Sequence, residues 1–165
     1  FPQGFRLTLH ATTDRYPKDE QVAQAIAQMW NRAGIQASVA GVAGQVFFTE
    51  ATRQAYSAFI AQYGTNEAGE GPRAVVHSFE AGRGYGNANR TRYSNPRVDA
   101  LIQDAMAEID PDRRRAKLHS AIDAAFEDVA LIPVFHPSWD FAAKRGITIT
   151  SRPERRFNAL MMRPD

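Results

Sequence analysis

The stretch RLTLHATTDRYPKDEQVAQAIAQMWNRAGIQASVAGV, Arg6 to Val42, decides the fold. Arg6 to Ala11 alternates Leu7 and Leu9 with polar neighbours, the period of a strand with one buried face. Val22, Ile26, Met29 and Trp30 then fall at i, i+4, i+7 and i+8, one apolar stripe of a helix. Asp19 or a neighbour caps its start, and Gly34 stands where a left-handed C-terminal cap belongs. Ile35, Ala37 and Val39 alternate again in a second strand. Strand, helix and strand in this order spell a βαβ unit with a right-handed crossover.

Downstream, QVFFTEATRQA (45–55) reads as a short amphipathic helix and YSAFIAQYG (56–64) as a third strand. A loop from Gly64 to Tyr93 follows, carrying six glycines between Gly64 and Gly86. Such a length is far above that of ordinary connections, which marks it as functional or partly disordered, with a short helix expected over PRAVVHSF (72–79). Asn95 is a favoured N-cap, and Pro96 suits the first helical position because its missing N–H would be unpaired there anyway. Val98, Leu101, Ile102, Ala105 and Ile109 repeat at helical spacing. Asp110 and Pro111 repeat the device for a second helix with the stripe Leu118, Ile122, Ala125, Phe126 and Val129, and the two helices form a tight corner. ALIPVFHP (130–137) reads as an apolar strand with Pro133 at an edge or a bulge. GITITSRPERRFNALMM (146–162) offers two short strand-like runs and no helix. The expected architecture is α/β: one lobe over residues 1–165, a mixed sheet of four or five strands with helices packed on it.

The composition excludes several classes. With 165 residues, 44% hydrophobic and 23% charged, the chain has ordinary globular statistics. No apolar run approaches the roughly 18 residues of a membrane span. Cysteine is absent, which removes disulfides and thiolate metal sites. The net charge is only +2. The basic residues Arg113, Arg114, Arg115 and Lys117, and again Arg152, Arg155 and Arg156, are interleaved with acids or apolar positions, which argues against nucleic acid as a partner. His10, His77, His119 and His136 never fall three or four apart, so no local zinc motif exists. There is no G-x-S-x-G elbow and no phosphate-binding loop. GRGYGNAN (82–89) lacks the last glycine of a dinucleotide fingerprint, since Asn87 stands there. Glu67 and Glu70 are the available carboxylate pair, yet a single loop is poor scaffolding for acid–base chemistry. No catalytic residue, metal or cofactor is expected. The start, FPQGF, has neither an initiator Met nor a signal peptide, and the chain reads as a piece of something longer.

RYSNPRVDALIQDAMAEIDPDRRRAKLHSAIDAAFEDVALIPVFHP (92–137) resembles the C-terminal signature of the extracellular solute-binding proteins of family 5, the peptide, oligopeptide and nickel receptors of ABC importers. The matching residues are Tyr93, Ser94, Asn95, Pro96, Val98 and Asp99, then Asp110, Pro111 and Arg114, then Glu127, Asp128, Ile132 and Pro133. Upstream, the stretch from Phe1 to Val39 is similar to the family's first strand, helix and second strand, and FFTEATRQAYSAFIAQYG (47–64) to the segment ending in Gly-Trp-Gly. Together these cover nearly the whole chain.

The resemblance implies a periplasmic-binding-protein-like fold of type II, of which this chain would be the C-terminal lobe, with the N-terminal lobe absent. It implies a small peptide or peptide-like solute as ligand, the membrane permease of an ABC importer as partner, and a location in the periplasm or on a lipid anchor outside the cytoplasmic membrane. By position, Tyr63 stands for the family's tryptophan, Gly64 follows it, and Asn66 falls where peptide receptors carry an acid for the ligand's amino group. A neutral amide cannot neutralise an ammonium; Glu67 or Glu70 would take that role with a shift of loop register. Amines, sugars and other peptide-like solutes stay open.

A cleft wall needs aromatic platforms, a few fixed polar groups and closely approaching backbone. Tyr63 and Gly64, Asn66, Glu67 and Glu70, Asn89 and Arg90 supply those types. Arg90 suits a bidentate pair with a ligand carboxylate, although it and Arg92 also suit plain surface charge. Trp139 is read as lobe packing. The rival readings are a hydrolase using Glu67 and Glu70, and a standalone protein-interaction module.

Overall fold

The computed structural model of the protein describes residues 3–138, 142–150 and 161–164. Strand β1 (Arg6–Thr12) pairs in parallel with β2 (Gln36–Val42) over their whole length, from Arg6 opposite Gln36 to Thr12 opposite Val42. On its other side β1 pairs in parallel with the two-residue β3 (Ala58–Phe59), so the order is β2-β1-β3. Among the described residues the main sheet is thus three-stranded and all-parallel, not a mixed sheet of four or five. Two further strands, β4 (Ile147–Ile149) and β5 (Met162–Pro164), form a separate antiparallel pair.

Helix α1 (Asp19–Arg32) covers one face of the sheet. Leu9 and Ala11 are buried against Ala23, with Ile26, Trp30, Val39 and Ala58 around them. Small alanines at 23 and 27 let the helix lie close to the strands, and Met29, expected in the stripe, is 55% exposed. Asp19 does not cap from outside. It is the first helical residue, and its carboxylate reaches back to accept from the Thr12 hydroxyl and the Tyr16 N–H. Gly34 adopts φ +92°, the left-handed turn that glycine makes without strain. The Asn31 amide then donates to the Ala27 and Ala37 carbonyls and accepts from the Ala37 N–H, fastening the helix end to β2.

Helix α2 (Gly44–Thr52) packs on the opposite face. The wholly buried Phe47 meets Tyr56 and Phe59 edge-on or tilted, and His10 stacks on Tyr56 with centroids 4.0 Å apart.

A second core joins α3 (Pro96–Ala107), α4 (Pro111–Glu127) and a π-helical turn, Pro72–Val76. Val76, Val98, Ile102, Ala121, Ala124 and Ala125 form it. Both caps are as expected: Asn95 accepts from the N–H groups of Arg97 and Val98, and Asp110 from that of Arg113. The stripes, however, end early. Ile109 is 93% exposed in the corner between the helices, and Phe126 and Val129 also face outward, because the buried stripe of α4 runs through its alanines. Close helix packing selects small residues at the contact. Asp128 closes the pair by accepting from the Tyr93 hydroxyl and the Asn95 amide, both at 2.7 Å. Burial first, and then that carboxylate, push the Tyr93 phenol up to about 12.

The Gly64–Tyr93 loop is built by hydrogen bonds rather than left slack. The wide π turn frees two carbonyls: Gly86 N–H donates to Arg73 O and Ala88 N–H to Ala74 O. Residues 130–138 form no strand, so Pro133 sits at neither edge nor bulge. An extended apolar segment becomes a strand only where a ladder partner satisfies its backbone. The expected helix-poor tail and the expected role of Trp139 fall largely on residues outside those described, apart from β4 and β5.

Candidate ligand-binding rim

In open parallel sheets, ligands bind beyond the carboxyl ends of the strands, at the point where strand order reverses. Here β1 leads to β2 on one side, and the chain then crosses to β3 on the other, so that point lies between β1 and β3. The two loops flanking it are stitched together, since the Tyr16 hydroxyl donates to Gln62 O at 3.0 Å. Asp14, just past β1, accepts from the Gly44 N–H at 2.7 Å and so caps α2 from a distant loop. Tyr63 follows directly, and its ring is 45% exposed.

Around Tyr63 a fixed polar cluster assembles. Its hydroxyl donates to Glu70 Oε1 at 3.2 Å, while Glu70 Oε2 accepts from Arg73 Nε at 3.0 Å and Nη2 at 2.7 Å. Arg73 also donates to Gly84 O at 2.8 Å, locking the loop's far limb. Burial and then the Glu70 charge push the Tyr63 phenol upward, while Arg73 and Arg90 pull it down. The Arg90 guanidinium lies 5.0 Å above the Phe48 ring of α2.

The residues singled out from sequence divide accordingly. Tyr63 and Glu70 come together, and the Arg90 charge is felt at the Tyr63 phenol while its guanidinium lies over Phe48. Glu67 turns the other way, to Arg114 of α4 at 2.6 Å. Gly64 and Asn66 are exposed beside Tyr63. Asn89 is 1% exposed and fully used inside the loop: its amide donates to His77 O and Tyr93 O and accepts from Thr91 Oγ1. It braces the rim from behind. Glu67 and Glu70 do not pair as carboxylates, since each has its own arginine. Arg73, Phe48, Asp14 and Tyr16 were missed. Only Arg73 left a local signal, three residues after Glu70, which is ion-pair spacing on a helical turn.

Among the described residues no group of three histidines or acids gathers as a metal site. None of their helices is long and apolar enough to cross a membrane. A cavity of about 370 Å³ lies at the opposite end of the sheet, lined by Arg6, Thr8, Asn31, Gln36 and Ser38 among others. It is where β1 and β2 begin, away from the switch point.

No family model matches the chain. It is 26% identical over 124 residues to the dipeptide-binding protein DppE of Bacillus subtilis (strain 168), covering 72% of this chain and 21% of that protein. The dipeptide-binding protein from Pseudoalteromonas sp. SM9913, solved in complex with Met-Leu, matches 100% of this chain with a TM-score of 0.75 at 14% identity. The chain has the fold of the matching part of that protein. NikA from Staphylococcus aureus, solved with Ni(L-His)2, matches 77% of the chain with a TM-score of 0.66 at 21% identity. This chain spans only part of each: 21% of DppE, 33% of the dipeptide-binding protein and 26% of NikA. The first two of these are named for binding dipeptides.

Proposed function

We propose that these residues are the C-terminal ligand-binding lobe of a longer, two-lobed receptor. It would take a peptide or peptide-like solute non-covalently in the cleft between its lobes and deliver it to the permease of an ABC importer, working outside the cytoplasmic membrane. The observation that carries this reading is the rim beyond the parallel strands, where half-exposed Tyr63 is held by the Glu70–Arg73 pair and Arg90 lies over Phe48 of α2. A platform with fixed polar groups suits recognition. The mechanism is a shift between open and closed forms, driven by a solute that touches both lobes.

Ile132, Val134 and Phe135, exposed at 71%, 52% and 53%, support a further body packing on this lobe. One wall supplies only part of the contacts. Losing several kcal/mol of them weakens binding roughly a thousandfold. Calorimetry with a dipeptide panel tests this: the full gene product should bind in the micromolar range, and residues 1–165 alone should show no measurable heat. Micromolar binding by these residues alone would sink the two-lobe reading.

A further inference from the structure

We propose that this rim recognises its solute through an anionic group, a carboxylate, at Arg90, and that it does not read the solute's amino group. This rests on the receptor reading above and narrows the class of solute.

The charges of the Tyr63–Tyr93 segment decide it. The segment holds three acids, Glu67, Glu70 and Glu80, and four arginines, Arg73, Arg83, Arg90 and Arg92. Each acid is matched: Glu67 with Arg114 of α4, Glu70 with Arg73, Glu80 with Arg83. Arg90 and Arg92 remain with no carboxylate within ion-pair distance among the described residues, and each lies over an aromatic ring instead, Phe48 and Phe79 respectively. Across the switch point, Asp14 is engaged at the first N–H of α2, where a negative charge is favoured. Every acid near Tyr63 is therefore occupied, and the free charge is positive.

Arg90 differs from Arg92. Its Nε is enclosed and has no acceptor, and the hydrogen bond shown for its side chain is a long 3.4 Å contact from Nη1 to Ala88 O. A side chain held this loosely by the protein keeps its terminal Nη groups for a carboxylate, which adds charge-assisted bonds. Phe48 below fixes the plane of the fork, and the half-exposed Tyr63, whose phenol feels the Arg90 charge, offers an apolar platform on the same rim for the rest of the solute. An ammonium placed here would meet Arg90 and Arg73 with no free acid to offset them.

The test uses the full gene product and three versions of a dipeptide panel: free, N-acetylated and C-terminally amidated. N-acetylation should leave the dissociation constant within threefold, and amidation should weaken it about thirtyfold, the range of a charge-assisted pair. Arg90→Gln should reproduce the thirtyfold loss for the free and acetylated peptides and leave the amides unchanged, with Arg90→Lys in between. The peptide-modification arm needs no variant, so it stands even if Arg90→Gln unfolds. Acetylation that weakens binding tenfold or more, or amides that bind as well as acids, overturns the anionic-group inference and leaves the receptor reading intact. If no version binds and no member of the panel raises the melting temperature, the receptor reading fails and this inference with it.

Discussion

Gly86 shows how tightly single positions are set in the loop that forms the rim. Its φ is +63°, and an added Cβ would lie 2.5 Å from His77 O, 2.7 Å from Ser78 O and 2.8 Å from Phe79 Cα. All three obstacles are backbone, so nothing flexible can give way. Gly34 also has positive φ, but open space surrounds it. Gly34→Ala should therefore cost about 1 kcal/mol, the left-handed penalty alone. Gly86→Ala should cost at least ~3 kcal/mol and disturb the Asn89 brace, both read by urea denaturation. Of the glycines in this loop, the sequence shows the number but not which one the backbone crowds. Asn89 teaches the same lesson. As a residue type it suits ligand or brace equally, and only its burial between His77 O and Tyr93 O decides.

Among the elements, the α3–α4 corner is the part most open to reading in advance. Asn-Pro and Asp-Pro each supply a capping side chain and a first residue that needs no N–H, so the starts of both helices are local properties. The corner itself depends on Glu108, which no local pattern announces. Its carboxylate accepts from the Ile109 and Asp110 N–H groups and pairs with Arg113 and Lys117. The Asp110 N–H first, then Arg113, hold it down at about 2, against an ordinary 4.5. Because the folded value is depressed, the stability it contributes is fully present above pH 4.5 and is lost as pH falls toward 2. Glu108→Gln should thus lower the denaturation midpoint at pH 6 and converge with the parent protein near pH 2. Equal differences at both pH values would exclude the effect. Strand β3 errs in the other direction. YSAFIAQYG reads as a full strand, yet only Ala58 and Phe59 join the ladder, since pairing is set by the neighbour β1.

For the whole molecule, the apolar surface left outside is what the fold does not resolve by itself. Ile132 and Phe135 belong to a segment that reads as an apolar strand with Pro133 at an edge or a bulge, and it instead stands exposed and forms no strand. Isolated residues 1–165 should accordingly bind a hydrophobic dye and self-associate, and Ile132→Ser with Phe135→Ser should reduce both, with little change in melting temperature. A large loss of stability would show that the strip is core after all.

Taken alone, the sequence determined the βαβ start and the capped helix pair. Each depends on spacing within a few turns of chain. Tertiary structure alone decided how many strands the sheet has, which carboxylates are already neutralised and which arginine is left over. Those outcomes depend on partners far apart in sequence, such as Glu67 with Arg114 and Arg90 with Phe48. Pairing at that range is fixed by how elements pack, and a linear pattern carries no record of it.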